Sequence, residues 1–478
     1  MVFSSSLFLA YFLPFFFITY YFIEAKYKNI VLFLFSLCFY TFGCFDNLYY
    51  VLILILSLII NFSISIFIEN SKSKFLLIIA LVYNFSILFI FKYFNFFIEV
   101  LNDLNLNLPI PKVNLLLPIG ISFYTFQMVS YVVDVYFGKI ESEKNFIDYS
   151  TYVIMFPQLI AGPIVYFKDI MKDLKIERHI KINEIFDGAT IFIFGLTSKV
   201  FLANQISKIA VDANNFGIDK IDTLGAWLLG IGYSLQMYFD FFGYSLMAIG
   251  LGKMIGFIIP KNFDNPFLSK SVEEYWRRWH ITLSTWFRDY LFYPILLSTP
   301  FKNFRKKISG KCSVKLTNAL VNIPAMFIVW FATGLWHGAS YNFIIWGLYF
   351  FVFMTLEQIF LSKFLKKHNI FSHIYLCIVV IISFIIFFNE DLNVVNSIIR
   401  NLFVAKGNVL NEAFITMIKN NYKILILAIF TVLTLPQIIY NKIKNILPIR
   451  VLIILILLSI DIAFIYIGYN DPFLYFRF

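Results

Sequence analysis

Two stretches of this sequence place reactive side chains inside an otherwise apolar chain. The first is Thr333-Gly-Leu-Trp-His-Gly-Ala-Ser340, which closes an apolar run interrupted by Pro324. His337 stands there between Gly334 and Gly338, and Trp336 precedes it. A neutral imidazole in such surroundings can take a proton from a hydroxyl at physiological pH. Glycines four residues apart let another helix, or the thin chain of a ligand, approach the backbone closely. The same pattern also fits a buried histidine bonded to a neighbouring helix, with the glycines serving only packing.

The second stretch runs from Tyr275 to Tyr290. Trp276, Trp279, Leu283, Trp286 and Tyr290 recur at helical spacing and predict one continuous apolar stripe. Arg277, Ser284 and Arg288 line one flank, Arg278 lies beside them, and His280 sits on the boundary. One reading is an interfacial anchor with its indoles at headgroup depth. The other is a basic, aromatic mouth for an anionic cytosolic donor, built from Arg277, Arg278, Arg288 and Trp279, because guanidinium forks match phosphate.

These residues must be positioned by membrane helices. The chain has 478 residues, of which 60% are hydrophobic, 20% aromatic and only 14% charged. Soluble domains carry about a quarter charged residues, so a water-soluble enzyme is excluded. The net charge of +11 follows from basic cytoplasmic loops and does not imply nucleic-acid binding. Cys38, Cys44, Cys312 and Cys377 form no CxxC pair, so neither a disulfide framework nor a metal site is expected.

Apolar runs predict spans near 7–23, 29–45, 48–68, 75–100, 187–212, 224–257, 316–337, 342–362, 371–388, 422–440 and 451–470. Two further runs, 115–137 and 150–167, are broken by Pro118, Gly120, Pro157, Gly162 and Pro163. Irregular backbone at membrane depth must be covered by protein or line a cavity, so one of this pair is expected to be re-entrant. The fold expected is an all-α polytopic bundle of about 11–12 transmembrane helices with cytosolic interfacial helices. The whole chain, 1–478, reads as one multi-span domain, with its motifs in about 1–350 and additional helices over about 371–470.

No basic residue precedes the first run, while Lys26 and Lys28 follow it, so the N-terminus is expected outside and uncleaved. Segment 258–315 carries about eleven Lys and Arg and is expected in the cytosol; about 28 of the 39 basic residues then fall inside. Asp134, Lys199, Asp240 and Asp461 lie in apolar runs and read as helix-pairing groups. Gly250, Gly252 and Gly256 do not form a dinucleotide fingerprint. No HExxH, GxSxG or Walker motif occurs. A flippase would be expected to show charged intramembrane pairs and repeated halves, and the sequence displays neither.

Several motifs together resemble the membrane-bound O-acyltransferase family, in its bacterial alginate O-acetyltransferase-like branch. They are Met1-Val-Phe-Ser-Ser5, Leu117-Pro-Ile-Gly-Ile-Ser-Phe-Tyr-Thr-Phe-Gln127, Phe156-Pro-Gln-Leu-Ile-Ala-Gly-Pro163, Tyr238-Phe-Asp-Phe-Phe-Gly-Tyr-Ser245, Tyr275 to Tyr290, and Trp336-His-Gly-Ala-Ser340. The resemblance implies a ring of helices around a thin centre in a bacterial cell membrane. There a cytosolic thioester, acyl-CoA or acyl-carrier phosphopantetheine, would meet an outside hydroxyl without a bound cofactor. It implies that His337 is the family's invariant histidine and that His280 fills its second polar position. It also implies a surface polysaccharide acceptor, with an exported acetyltransferase- or esterase-like partner. Phe167 and Leu246 depart from residues common in the family, a basic residue and Asp respectively. D-alanyl transfer to teichoic acid, and acyl transfer to lipid or protein, remain alternatives within this resemblance.

Overall fold

Apolar runs of this length must satisfy their backbone groups internally, and helices do so. The computed structural model describes residues 1–106, 109–113, 115–160, 162–217, 220–311, 313–404 and 411–467. Cys312, Ala161 of the Phe156–Pro163 motif and the end of the expected span 451–470 lie outside the described residues. The chain is overwhelmingly helical. Two units emerge, residues 1–196 with 243–261, and residues 197–242 with 262–478.

The first unit contains α1 (Phe8–Phe22), α2 (Lys28–Gly43), α3 (Tyr49–Ser71), α4 (Lys74–Asp103), α5 (Ile121–Tyr136), α6 (Phe146–Ile154) and α7 (Phe167–Lys175). Next come α8 (Ile182–Asn215) and α9 (Thr223–Met254), each belonging partly to both units. Side-chain caps start several helices: Ser73 Oγ accepts from Leu76 N at 3.4 Å, and Asn145 Oδ1 from Ile147 N at 2.9 Å. Small residues set the α8–α9 crossing in this unit. A Cβ built on Gly188 would lie 2.7 Å from Gly250 O, and one on Gly195 would lie 2.5 Å from Gly243 O.

Polar contacts reveal which loops share an end of this unit. Lys28 Nζ donates to Arg178 O at 2.7 Å, and Asn29 Nδ2 to Asp148 Oδ1 at 2.6 Å. Lys144 pairs with Glu69, and Lys175 bridges Glu143 and Asp148 at 2.6 and 3.1 Å. Burial opposes charge on Lys175, but the two carboxylates outweigh it and hold its pKa above the ordinary lysine value. Loops 23–29, 69–74 and 137–148 therefore lie together with the basic loop after α7. Segment 150–167 leaves that end and returns to it. It is the re-entrant member of the pair: α6 has nine residues and rises about 13 Å, under half of a hydrocarbon core. The chain then breaks at Met155, forms a single turn over Phe156–Leu159, and enters α7 through an extended Tyr166.

The second unit adds α10 (Val272–Arg278), α11 (Ile281–Phe287), α12 (Thr299–Ile308), α13 (Val314–His337), α14 (Tyr341–Lys367), α15 (Asn369–Phe388), α16 (Leu392–Phe403), α17 (Glu412–Val432), α18 (Leu435–Ile443) and α19 (Leu447–Tyr466). Among the described residues, eight helices are long and apolar enough to cross a membrane: α3, α4, α8, α13, α14, α15, α17 and α19. α1, α2, α5 and α9 are four further apolar helices, and only α9 among them exceeds 18 residues. The span expected at 422–440 is displaced to Glu412–Val432. Thr434 adopts φ 63° and Pro436 cannot prolong the preceding helix, so the apolar run divides there. Leu452, Leu455, Ile456 and Ile462 on α19 are exposed, a surface suited to lipid tails rather than water.

Candidate active site

His337 is the last residue of α13, and α14 begins four residues later at Tyr341. The glycines explain how those helices meet. A Cβ on Gly334 would lie 2.4 Å from Phe343 O, and one on Gly347 would lie 2.3 Å from Trp330 O. At Gly338 it would strike the Phe343 ring at 2.2 Å. What approaches Gly334 and Gly338 in this structure is α14 and its phenylalanine, a close helix crossing of the kind such glycines permit.

That close crossing builds an aromatic box. The His337 ring lies edge-on to Trp346, Trp336 and Phe387, with centroids 4.8, 5.0 and 5.3 Å away. Asn342 fixes one wall, because its amide donates to Phe387 O at 3.0 Å. His337 is buried in this box.

His280 reaches the same box through Trp336, whose ring centroid lies 6.0 Å from its own. Phe241 packs edge-on against the other side at 4.6 Å. His280 adopts φ 45° and ψ 52°, a left-handed conformation that histidine visits more readily than most residues. Asn262 holds it there: Ile281 N donates to Asn262 O at 2.9 Å, and Thr282 N and Oγ1 donate to Asn262 Oδ1 at 3.2 and 2.9 Å. His280 Nδ1 lies 3.2 Å from that same Oδ1. Burial pushes the His280 pKa down to about 3, so the ring is neutral at physiological pH.

The left-handed residue also overturns the continuous stripe. α10 ends at Arg278, Trp279 is extended, and α11 starts at Ile281, so Trp276 and Trp286 belong to different helices. Nor do these indoles face outward; they are buried in protein. Trp276 is packed among Trp330, Trp346 and Phe350, and Trp279 among Phe263, Tyr275 and Phe384. Periodicity identified a buried face and misjudged what covers it.

Arg277 and Arg288 face outward, while Arg278 is half-buried. Arg277, with 67% of its side chain exposed, pairs with Glu273 at 3.1 Å; Arg278 pairs with Glu274 at 2.7 Å, and Arg288 with Asp289 at 2.9 Å. Such exposed pairs are worth about 1 kcal/mol or less and yield readily to a phosphate. Two residues that sequence reasoning passed over position this region. Asn262 clamps His280, and Glu357 of α14 caps α10, accepting from Val272 N and Glu273 N at 2.6 and 3.1 Å. Neither has a local motif, since each partner is distant in the chain.

An intramembrane charge pair also exists, contrary to the expectation of none. Lys199 Nζ lies 2.6 Å from Asp240 Oδ1, and both side chains are buried. Lys199 sits in a π-helical turn of α8, and Asp240 immediately precedes Phe241 of the His280 pocket. Asp461 accepts from Thr197 Oγ1 at 2.8 Å, as a helix-pairing group would.

Residues 139–309 match the family model for MBOAT, the membrane-bound O-acyltransferase family. The probable alginate O-acetylase AlgI of Pseudomonas aeruginosa is 34% identical, over 82% of this chain and 73% of the relative. The peptidoglycan O-acetyltransferase of Helicobacter pylori is 33% identical, over 73% and 68% respectively. The teichoic acid D-alanyltransferase of Bacillus subtilis is 31% identical, over 54% and 63%. Similarity across most of both chains, on a helical scaffold of membrane-crossing length, leads to one conclusion: the chain belongs to the membrane-bound O-acyltransferase family and is a multi-pass membrane O-acyltransferase.

Proposed function

We propose that the chain moves an acetyl group from a cytosolic thioester to a hydroxyl of a cell-surface polysaccharide, or of an exported partner protein that passes it on. The observation that carries this reading is the aromatic box joining His337 through Trp336 to His280. Acetyl is favoured over D-alanyl because the acetylating relatives align over 82% and 73% of the chain, against 54% for the D-alanyltransferase.

His337 takes the proton of the acceptor hydroxyl as its oxygen bonds to the thioester carbonyl carbon. The tetrahedral intermediate collapses with loss of the carbon–sulfur bond. The imidazolium returns the proton to the departing sulfur, which leaves an ester and a free thiol. Acyl-CoA and an acyl-carrier phosphopantetheine arm both end in a slender thioester and carry phosphate. The exposed Arg277 and Arg288 and the half-buried Arg278 suit that phosphate, and Trp279 lies in the same segment. The basic segment 258–315 would face the cytosol of a bacterial cell and the N-terminus the outside.

The test joins a deletion strain to the purified protein. Mass spectrometry of the surface glycan should show acetyl esters lost on deletion, and restored by the wild-type chain but not by His337→Ala. The full chain in lipid discs should release thiol from the acyl thioester when acceptor is supplied. An unchanged glycan in the deletion strain, or a D-alanyl ester lost instead, would overturn the acetyl reading.

A further inference from the structure

The clamp on His280 determines more than its position. Asn262 Oδ1 receives the backbone N–H of Thr282, which can only donate, so the atom at that place must be the amide oxygen and not the nitrogen. The Thr282 hydroxyl converges on the same oxygen at 2.9 Å. His280 Nδ1 lies 3.2 Å from it, and an amide oxygen cannot donate. Nδ1 must therefore carry a proton. Asn262 is fully buried, so no water competes for this oxygen from outside. The left-handed conformation of His280 is strained by roughly 1–3 kcal/mol and persists where its surroundings over-determine it. The bond from Ile281 N to Asn262 O supplies that second restraint on the same segment.

We propose that Asn262 is a positioning residue that locks His280 as the Nδ1–H tautomer, so that its Nε2 carries the lone pair and can only accept a hydrogen bond. The downward displacement of the His280 pKa keeps the ring from gaining a second proton near neutrality. From Nε2 the ring then accepts and does not donate to a carbonyl oxygen. This assignment deepens the acyl-transfer reading and rests on it for the identity of the groups that Nε2 meets. The tautomer itself does not depend on it.

The test is a ¹⁵N spectrum of the full chain in lipid discs with ring-labelled histidine. The His280 signals are identified as those lost in His280→Asn. Wild type should show a protonated Nδ1 and an unprotonated Nε2; a proton on Nε2 would overturn the proposal. Asn262→Leu should lose the preference for Nδ1–H and lower kcat by roughly 10-fold or more, as a wrong tautomer does elsewhere, with little change in the KM for donor. Asn262→Asp presents acceptor oxygens in the same place and should retain the tautomer and recover most of kcat. An Asn262→Leu protein that keeps both Nδ1–H and kcat would sink the assignment. Should that variant not fold, the wild-type and Asn262→Asp spectra decide, because loss of Nδ1–H in either contradicts the lock. A failure of the acyl-transfer reading would appear instead as absent wild-type turnover with the spectrum unaltered.

Discussion

His337 and His280 are both buried and both touch Trp336, yet they are held by different forces. Three aromatic edges enclose His337, and it closes a helix whose glycines admit the next helix. His280 breaks a helix and is tied through hydrogen bonds to an asparagine. Aromatic packing by itself fixes where a ring is and not where its proton is, as the proposed reaction requires of a group that gains and loses one. A hydrogen-bonded clamp fixes both, which suits a group that orients. Under the proposed acyl transfer, the contrast favours His337 for proton transfer and His280 for orientation.

The largest effect should follow from removing the group that cycles a proton. His337→Ala should lower kcat by about 10²–10⁴-fold while the protein remains folded and membrane-inserted. Turnover assays beside a thermal melt of the purified variant check this, and near-normal kcat would return His337 to a packing role. The charge pair behind Phe241 predicts loss of stability instead. Asp240→Leu leaves Lys199 buried without its carboxylate and should cost about 3–5 kcal/mol, seen as a lower melting temperature. Lys199→Met combined with Asp240→Leu should recover most of it. A double variant no more stable than the single would show that the charges do more than neutralise each other.

The same contrast explains what the sequence disclosed. His337, Trp336 and the glycines form one contiguous motif at the end of an apolar run, so they could be named as candidates before the fold. The helical class was equally open, because runs of this length have few alternatives. Asn262 lies 18 residues from His280, and Glu357 lies 85 from Val272, and no periodicity links such pairs. The Lys199–Asp240 contact was hidden for the same reason. The tryptophan stripe failed differently: spacing reports which residues share a face, and both lipid and protein can cover an apolar face. The re-entrant segment needed parity from the sequence and ion pairs from the fold.

An intermediate effect is expected at His280. His280→Ala should impair transfer less than His337→Ala and act partly through donor KM, with His280→Asn partly restoring it. An unchanged KM and kcat for His280→Ala would remove His280 from the site. Stability gives an independent reading. The folded pKa of about 3 lies below the ordinary value of about 6.5, so the unfolded chain binds the extra proton first as pH falls. This contribution is complete above about pH 6.5 and is lost progressively toward pH 3. The melting temperature of His280→Asn should therefore decline less steeply than wild type on acidification through that window.

The smallest effect belongs to the exposed guanidiniums, where neither clamp nor box operates. Arg277 and Arg288 already pair with Glu273 and Asp289, so an incoming phosphate exchanges one weak ion pair for another and gains only the difference. Arg277→Ala with Arg288→Ala should raise the donor KM several-fold and leave kcat nearly unchanged, because these groups act before the thioester reaches either histidine. Raising the salt concentration should narrow the gap between variant and wild type, since screening removes part of the attraction that the variant has already lost. The buried tryptophans make the membrane-anchor alternative directly testable alongside: the double variant should stay in the membrane fraction. A variant with a normal donor KM that leaves the membrane fraction would reverse the assignment and make these arginines part of an anchor.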